Sequence, residues 1–286
     1  MATTRVSTRE TTRFALPRGA AGLLRLLTAL VMAALFPLIF GLGPADFARV
    51  LQPGLLRFLG IGTIATVTAS LVAILLSLPL ATLLALARFA KGAPQRYTAA
   101  IFIEGIRAIP VLLLIFYVNN RFPGLAAIER LSLPDVVDFF LGALLSQQGL
   151  AVVLALTIYT AVVNAELIRS GMASLDRGQF EASRSLGMSY WQMMRLVILP
   201  QTFRRVLPPL IAQFTTLVKD TSLGSIIGFV ELQRAAIIIY QRPGYSVMAV
   251  LYVAALIYFV INYLLGKASI AIQERSGGLP PQMDMG

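Results

Sequence analysis

Hydrophobic residues in this chain come in long unbroken blocks rather than alternating with polar ones. Leu26–Ala45, Phe58–Ala87, Phe139–Ala165 and Pro243–Gly266 each run for 20 residues or more without a charge. A bilayer core of about 30 Å, at 1.5 Å per helical residue, needs about 20 such residues. A shorter uncharged run covers Val206–Val218, and Thr98–Val118 is apolar apart from Glu104 and Arg107. The pattern predicts six transmembrane helices, near 24–43, 58–86, 98–118, 150–169, 203–220 and 246–266. The expected fold class is an all-α, polytopic integral membrane bundle.

Composition agrees. The chain is 57% hydrophobic and only 13% charged, against about 45–50% and about 25% in soluble domains. A soluble globular protein is thereby excluded. The net charge of +11 would suggest nucleic acid in a soluble protein. In a membrane protein it marks cytoplasmic loops, so no nucleic-acid partner is expected. With the N-terminus inside, sixteen Lys and Arg fall on the cytoplasmic side and six on the other. Both termini are therefore expected in the cytoplasm. Cys and His are absent, which excludes His/Cys metal sites, thiol catalysis and a Ser-His-Asp triad. Residues 1–22 read as a disordered basic arm, 23–54 as an extra N-terminal helix and loop, and 276–286 as a flexible tail. The N-terminal run is longer than the usual core of a signal peptide, and the reading keeps it as a helix.

Two spans are unusual. The 58–87 run exceeds one untilted crossing, with room for a kink at Pro79, and its Gly60, Gly62, Ala65, Ala69 and Ala73 admit a close neighbour. The fifth span has Pro208 and Pro209 near its start and ends at Lys219-Asp220-Thr221-Ser222. The last three are good caps for a following helix. Interrupted spans are tolerated where they line a cavity or are buried in protein, and transporters place substrate near such breaks. Ionisable groups within spans are functional candidates. Glu104/Arg107 and Glu166/Arg169 are both spaced i,i+3, so each pair shares a helix face. A neutralised packing network is the alternative reading. Asn164 and Gln213 are uncharged candidates for a solute path, beside Lys219, Asp220, Thr221 and Ser222. Lys219 and Arg107 suit a carboxylate, whereas Glu104 and Glu166 suit a cation, so the sign of the solute stays open.

The longest cytoplasmic loop, 171–200, parses into two short helices. Asp176 caps the first, and Gly187 stops it. Ser189 and Gln192 form a capping box for the second, and Pro200 ends or kinks it. Ala182, Ser183 and Gly187 keep one side slim, while Phe180, Leu186, Tyr190, Trp191 and Met194 offer apolar anchors. The result is a rigid knob fit for a groove, or an amphipathic hairpin on the lipid surface.

Glu181-Ala182-Ser183, Gly187 and Val197-Ile198-Leu199-Pro200 resemble the EAA loop of binding-protein-dependent ABC importer permeases. Ser183 and Val197 are mild departures from that pattern. Glu166-Leu167-Ile168-Arg169, Pro208-Pro209 and Lys219-Asp220-Thr221-Ser222-Leu223 resemble the polar amino acid subgroup of histidine, glutamate and glutamine permeases. The similarity covers roughly 55–275, which implies a MetI-like type I importer fold of five spans with one helix added at the N-terminus. It further implies a multi-pass subunit of the bacterial inner membrane that imports polar amino acids. Glutamate, aspartate or their amides come first, basic amino acids second. Implied partners are two ABC ATPase subunits, a homologous permease or a second copy, and a periplasmic or lipid-anchored binding protein. ATP and Mg would be bound by the ATPase, because this chain has no G-x-x-x-x-G-K-[ST] loop. Coupling to the ATPase would fall to Gln179, Phe180, Glu181, Ala182, Ser183, Leu186, Gly187 and Met188. A passive channel or secondary transporter gives no reason for the knob. An integral membrane enzyme finds no reactive constellation in the sequence.

Overall fold

The computed structural model describes residues 37–90, 92–121 and 141–275, together with 27, 28, 31 and 35, with side chains as far as 271. The basic arm, most of the predicted first span and the tail lie outside the described residues. Within them the regular structure is entirely helical. The helices are α1 (Pro44–Val50), α2 (Pro53–Phe89), α3 (Ala93–Ala108), α4 (Val111–Arg121), α5 (Gln147–Ala173), α6 (Arg177–Ser185), α7 (Tyr190–Met193), α8 (Leu199–Asp220), α9 (Leu232–Tyr240) and α10 (Val247–Arg275). A π turn, Met194–Ile198, joins α7 to α8, and a 3₁₀ segment, Thr221–Ile227, extends α8.

Three helices, α2, α5 and α10, are long and apolar enough to cross a membrane singly. The spans predicted at 58–86, 150–169 and 246–266 are these three, each helix longer than the predicted span. Helix α2 runs through Pro79, and its 37 residues measure about 55 Å. With the bent pairs α3/α4 and α7–α8/α9 taken as one span each, the described residues hold up to five.

The span expected at 98–118 is not one helix. The chain bends by 98° between α3 and α4. Ile109 is extended (φ −83°, ψ 126°), as a residue before proline prefers, and Pro110 has no N–H with which to continue the helix. The fifth span differs in the other direction. Helix α8 passes through Pro208 and Pro209 without a break. Asp220 and Thr221 keep helical dihedrals instead of capping a new helix. The Thr221 hydroxyl donates back to the Val218 carbonyl (2.9 Å), so it does not cap a new helix. The break comes later, at Gly228 (φ +92°), and the bend there is only 46°.

Helix packing inside a bilayer cannot draw on hydrophobic burial between helices, so it relies on close fit. Ala65, Ala69 and Ala73 of α2 are buried against Val152, Ala155 and Leu156 of α5. Gly62 meets α9: a Cβ there would lie 3.0 Å from the Glu231 backbone. Gly171 of α5 would drive a Cβ into the Val206 side chain of α8. Gly60 faces open space, so the expected small-residue seam begins at Gly62.

Candidate functional site

The 171–200 loop folds as its capping residues require. The Asp176 carboxylate accepts from Gly178 N (2.9 Å) and starts α6. Gly187, at φ +73°, reverses the chain, in a conformation that costs a residue with a Cβ about 1–2 kcal/mol. Met188 N then bonds to the Ser183 carbonyl at 3.2 Å. Ser189 and Gln192 form the reciprocal capping box of α7. The second helix does not end at Pro200. It passes through the π turn into α8. Proline at 200 crowds the carbonyl one turn earlier, and a π turn relieves that clash.

The hairpin is fastened to the bundle on its inner side. Ser183 is buried, and its hydroxyl donates to the Gln179 carbonyl (2.7 Å). It therefore belongs to the anchored face, not to the slim side expected of it. The Phe180 ring stacks on Phe89 of α2, with centroids 6.0 Å apart. Met193, Met194 and Ile198 are buried with Met172, Leu175 and Val206 in one apolar cluster. Arg205 of α8 binds the Ser174 carbonyl and, at 3.1 Å, the Ser174 hydroxyl. Gln201 of α8 donates to the Gln179 side chain. Glu181, Ala182, Leu186 and Gly187 remain exposed, Leu186 at 78%, and Met188 is half-buried. The apolar anchors thus divide: Phe180, Tyr190 and Met194 hold the hairpin, while Leu186 and Trp191 face outward.

The charged pairs within the bundle each close within their own helix. Arg169 is bonded to Glu166 through both Nε and Nη2. Arg107 lies 3.7 Å from Glu104, and both are exposed on this subunit. Asn164 is fully buried at the α2–α5 seam, where its amide donates to the Ser77 hydroxyl at 3.4 Å. Gln213 is half-buried on α8. Lys219 is exposed, Asp220 and Ser222 are half-buried, and Thr221 is buried. The full length of α8, about 33 Å at 1.5 Å per residue, separates these residues from the hairpin.

One node was not among the expected site residues. Glu231 is fully buried at the N-cap of α9. Its carboxylate accepts from Gln233 N (2.9 Å), Arg234 N (2.8 Å), Tyr258 OH of α10 (2.8 Å) and Thr66 Oγ1 of α2 (3.3 Å). Thr66 in turn accepts from Leu232 N at 3.1 Å. A single carboxylate thus ties the break after α8 to α2 and α10. The sequence signal was an acidic residue just before an apolar helical run, which marks an N-cap. Gln201 and Arg205 carried no signal of their own.

A polytopic helical bundle, with broken helices and a stiff hairpin locked to one end, defines the transmembrane subunit of a transporter. The chain belongs to the binding-protein-dependent transport system inner membrane component family, which matches it over residues 77–275. It is a multi-pass membrane permease. It is 33% identical to the probable glutamine ABC transporter permease protein GlnP of Bacillus subtilis (strain 168), over 80% of this chain and 99% of that one. It is 31% identical to the glutamate/aspartate import permease protein GltK of Escherichia coli O157:H7, over 70% and 85%. A solved amino acid ABC transporter with histidines superposes with a TM-score of 0.65 at 28% identity, covering 80% of this chain and 98% of that one. The inward-facing MetNI methionine ABC transporter superposes at 0.59 and 20% identity, over 78% and 95%, and shares the fold.

Proposed function

We propose that this permease imports polar amino acids of the acidic and amide class, driven by ATP hydrolysis in separate subunits. Support for the substrate class comes from the glutamine and glutamate/aspartate permeases it resembles over most of its length. Support for coupling comes from one observation: the hairpin around Glu181 and Gly187 exposes an outer face while its inner face is locked to α2, α5 and α8. A knob so held moves with the bundle as a rigid body. In this reading two ABC ATPases grip the hairpins of a permease pair, either two copies or this chain with a homologue. ATP and Mg bind in those ATPases. A binding protein, periplasmic or lipid-anchored, delivers the amino acid from outside, and both termini and the hairpin lie in the cytoplasm. Glu104, Arg107, Asn164, Glu166, Gln213, Lys219, Asp220, Thr221 and Ser222 are the candidates for contact with solute or for gating.

The test is ATP hydrolysis by the reconstituted complex with its cognate binding protein and a panel of amino acids. Glutamate, aspartate, glutamine or asparagine should stimulate it. Stimulation by arginine or lysine alone would overturn the substrate class. Uptake by the permease alone, driven by an ion gradient, would overturn the coupling.

A further inference from the structure

An apolar groove of about 640 Å³ runs along the outside of the bundle between the last turns of α2 and the first turns of α3. Leu80, Leu84 and Ala87 form one wall and Phe102 part of the other. The groove continues past Gln95 into a second hollow of about 390 Å³ beneath Tyr190 and Trp191. None of the contacts that fasten the hairpin fills it.

Its dimensions and its charge point to one kind of occupant. From Leu80 to Ala90 is about 15 Å of helix, half of a hydrocarbon core of about 30 Å. The groove therefore has the depth of one leaflet. Its lining carries no carboxylate among the described residues. The lining holds no cation among the described residues either, and the arginines that adjoin it in sequence stand at its hairpin end. Arg96 adjoins Gln95, is exposed, and holds its guanidinium 5.5 Å from the Tyr97 ring centroid. Arg195, also exposed, lies one turn beyond Trp191 and on the same side. Tyr97 and Trp191 are 62% and 64% exposed beside this mouth, as aromatics at a headgroup level are.

The geometry points to a binding site for an anionic phospholipid, with an acyl chain along Leu80–Ala87 and the phosphate between Arg96 and Arg195. Charge complementarity favours this occupant over a second copy of the chain. In an isologous pair a second copy would bring its own Arg96 and Arg195 against the same arginines.

The experiment is native mass spectrometry of the purified permease in mild detergent, supplied with equal amounts of phosphatidylglycerol and phosphatidylcholine. Phosphatidylglycerol should be retained in preference. A basic residue near an anionic lipid is worth about fivefold in binding, so Arg96→Gln should lower retention by about that factor. Arg96→Gln/Arg195→Gln should lower it further, with the thermal midpoint unchanged. Thr98→Trp, which fills the groove, should reduce both lipids. Equal retention of the two lipids, or retention indifferent to the arginines, overturns the proposal. So does a disulfide between two copies through Thr98→Cys, which would be the chain's only cysteine.

Discussion

The side chain of Gln201, at the foot of α8, donates a 3.1 Å hydrogen bond to the side chain of Gln179, near the start of α6. The two residues stand 22 positions apart, on either side of the hairpin. With the Phe89–Phe180 stack and the Arg205–Ser174 bonds, this contact makes α6 part of the bundle instead of a tethered loop. Each tie is modest: an exposed neutral hydrogen bond contributes about 0.5–1.5 kcal/mol, and an aromatic pair about the same beyond its buried area.

Loosening two ties should uncouple the hairpin without unfolding the protein. Phe89→Ala/Gln201→Ala should insert in the membrane at normal yield. Amino acid transported per ATP hydrolysed should fall about threefold or more in proteoliposomes. An unchanged ratio would show that the ties carry no movement.

The reversal at Gly187 sets a second expectation. Its φ of +73° is open to glycine and, less comfortably, to asparagine. Gly187→Ala should strain the hairpin by about 1–2 kcal/mol, and Gly187→Asn by less. Co-purification with the ATPase subunits, followed by size exclusion, should rank glycine above asparagine and asparagine above alanine. Among the described residues nothing lies within 4 Å of a Cβ at this position, so the strain is conformational and not a clash.

How much of this was legible follows from where the information resides. The hairpin's caps, Asp176, Gly187 and Ser189, act over two to four residues, and the sequence displays them directly. The uncharged runs reveal α2, α5 and α10 because bilayer thickness imposes their length. The breaks were harder. Pro110 bends its span by 98°, whereas Pro208 and Pro209 leave α8 unbroken. The difference lies in tertiary surroundings that a lone proline does not encode. Asp220 and Thr221 looked like caps because their side chains can cap, but Thr221 spends its hydroxyl on Val218. Ser183 reads in sequence as one of three small residues on a slim side, and only the packing of α6 shows that it is buried while Ala182 and Gly187 are exposed. The Glu231 node joins residues up to 192 positions apart in sequence, from Thr66 to Tyr258, and no local pattern announces such a convergence.

The two intrahelical pairs should respond differently to truncation. Glu104→Ala removes a partner 3.7 Å away on an exposed surface, where such pairs contribute about 0–1 kcal/mol. The thermal midpoint of the isolated permease should barely move. Glu166→Ala leaves the half-buried Arg169 without the carboxylate it bonds through two nitrogens. Assembly yield or uptake should drop several-fold, and Glu166→Gln should restore less than half of the loss. Wild-type uptake kinetics in Glu166→Ala would assign that residue no role.

The strongest stability effect is expected at Glu231. Its carboxylate satisfies two backbone N–H groups of α9, the Tyr258 hydroxyl and the Thr66 hydroxyl, all around a fully buried position. Each buried polar group left without a partner costs about 1–3 kcal/mol. Glu231→Ala should therefore destabilise the protein by at least about 3 kcal/mol, read as a lower thermal midpoint and greater aggregation of the detergent-solubilised permease. Glu231→Gln keeps one acceptor oxygen for the helix cap but turns an N–H₂ toward Tyr258 or Thr66. It should fall between the wild type and alanine. Tyr258→Phe removes one donor of four and should cost about 1–2 kcal/mol. If the node acts as a unit, the effects of Tyr258→Phe and Glu231→Ala should combine to less than their sum. Strict additivity would mean that Tyr258 and Glu231 stabilise α9 independently and that α10 is not held through this carboxylate.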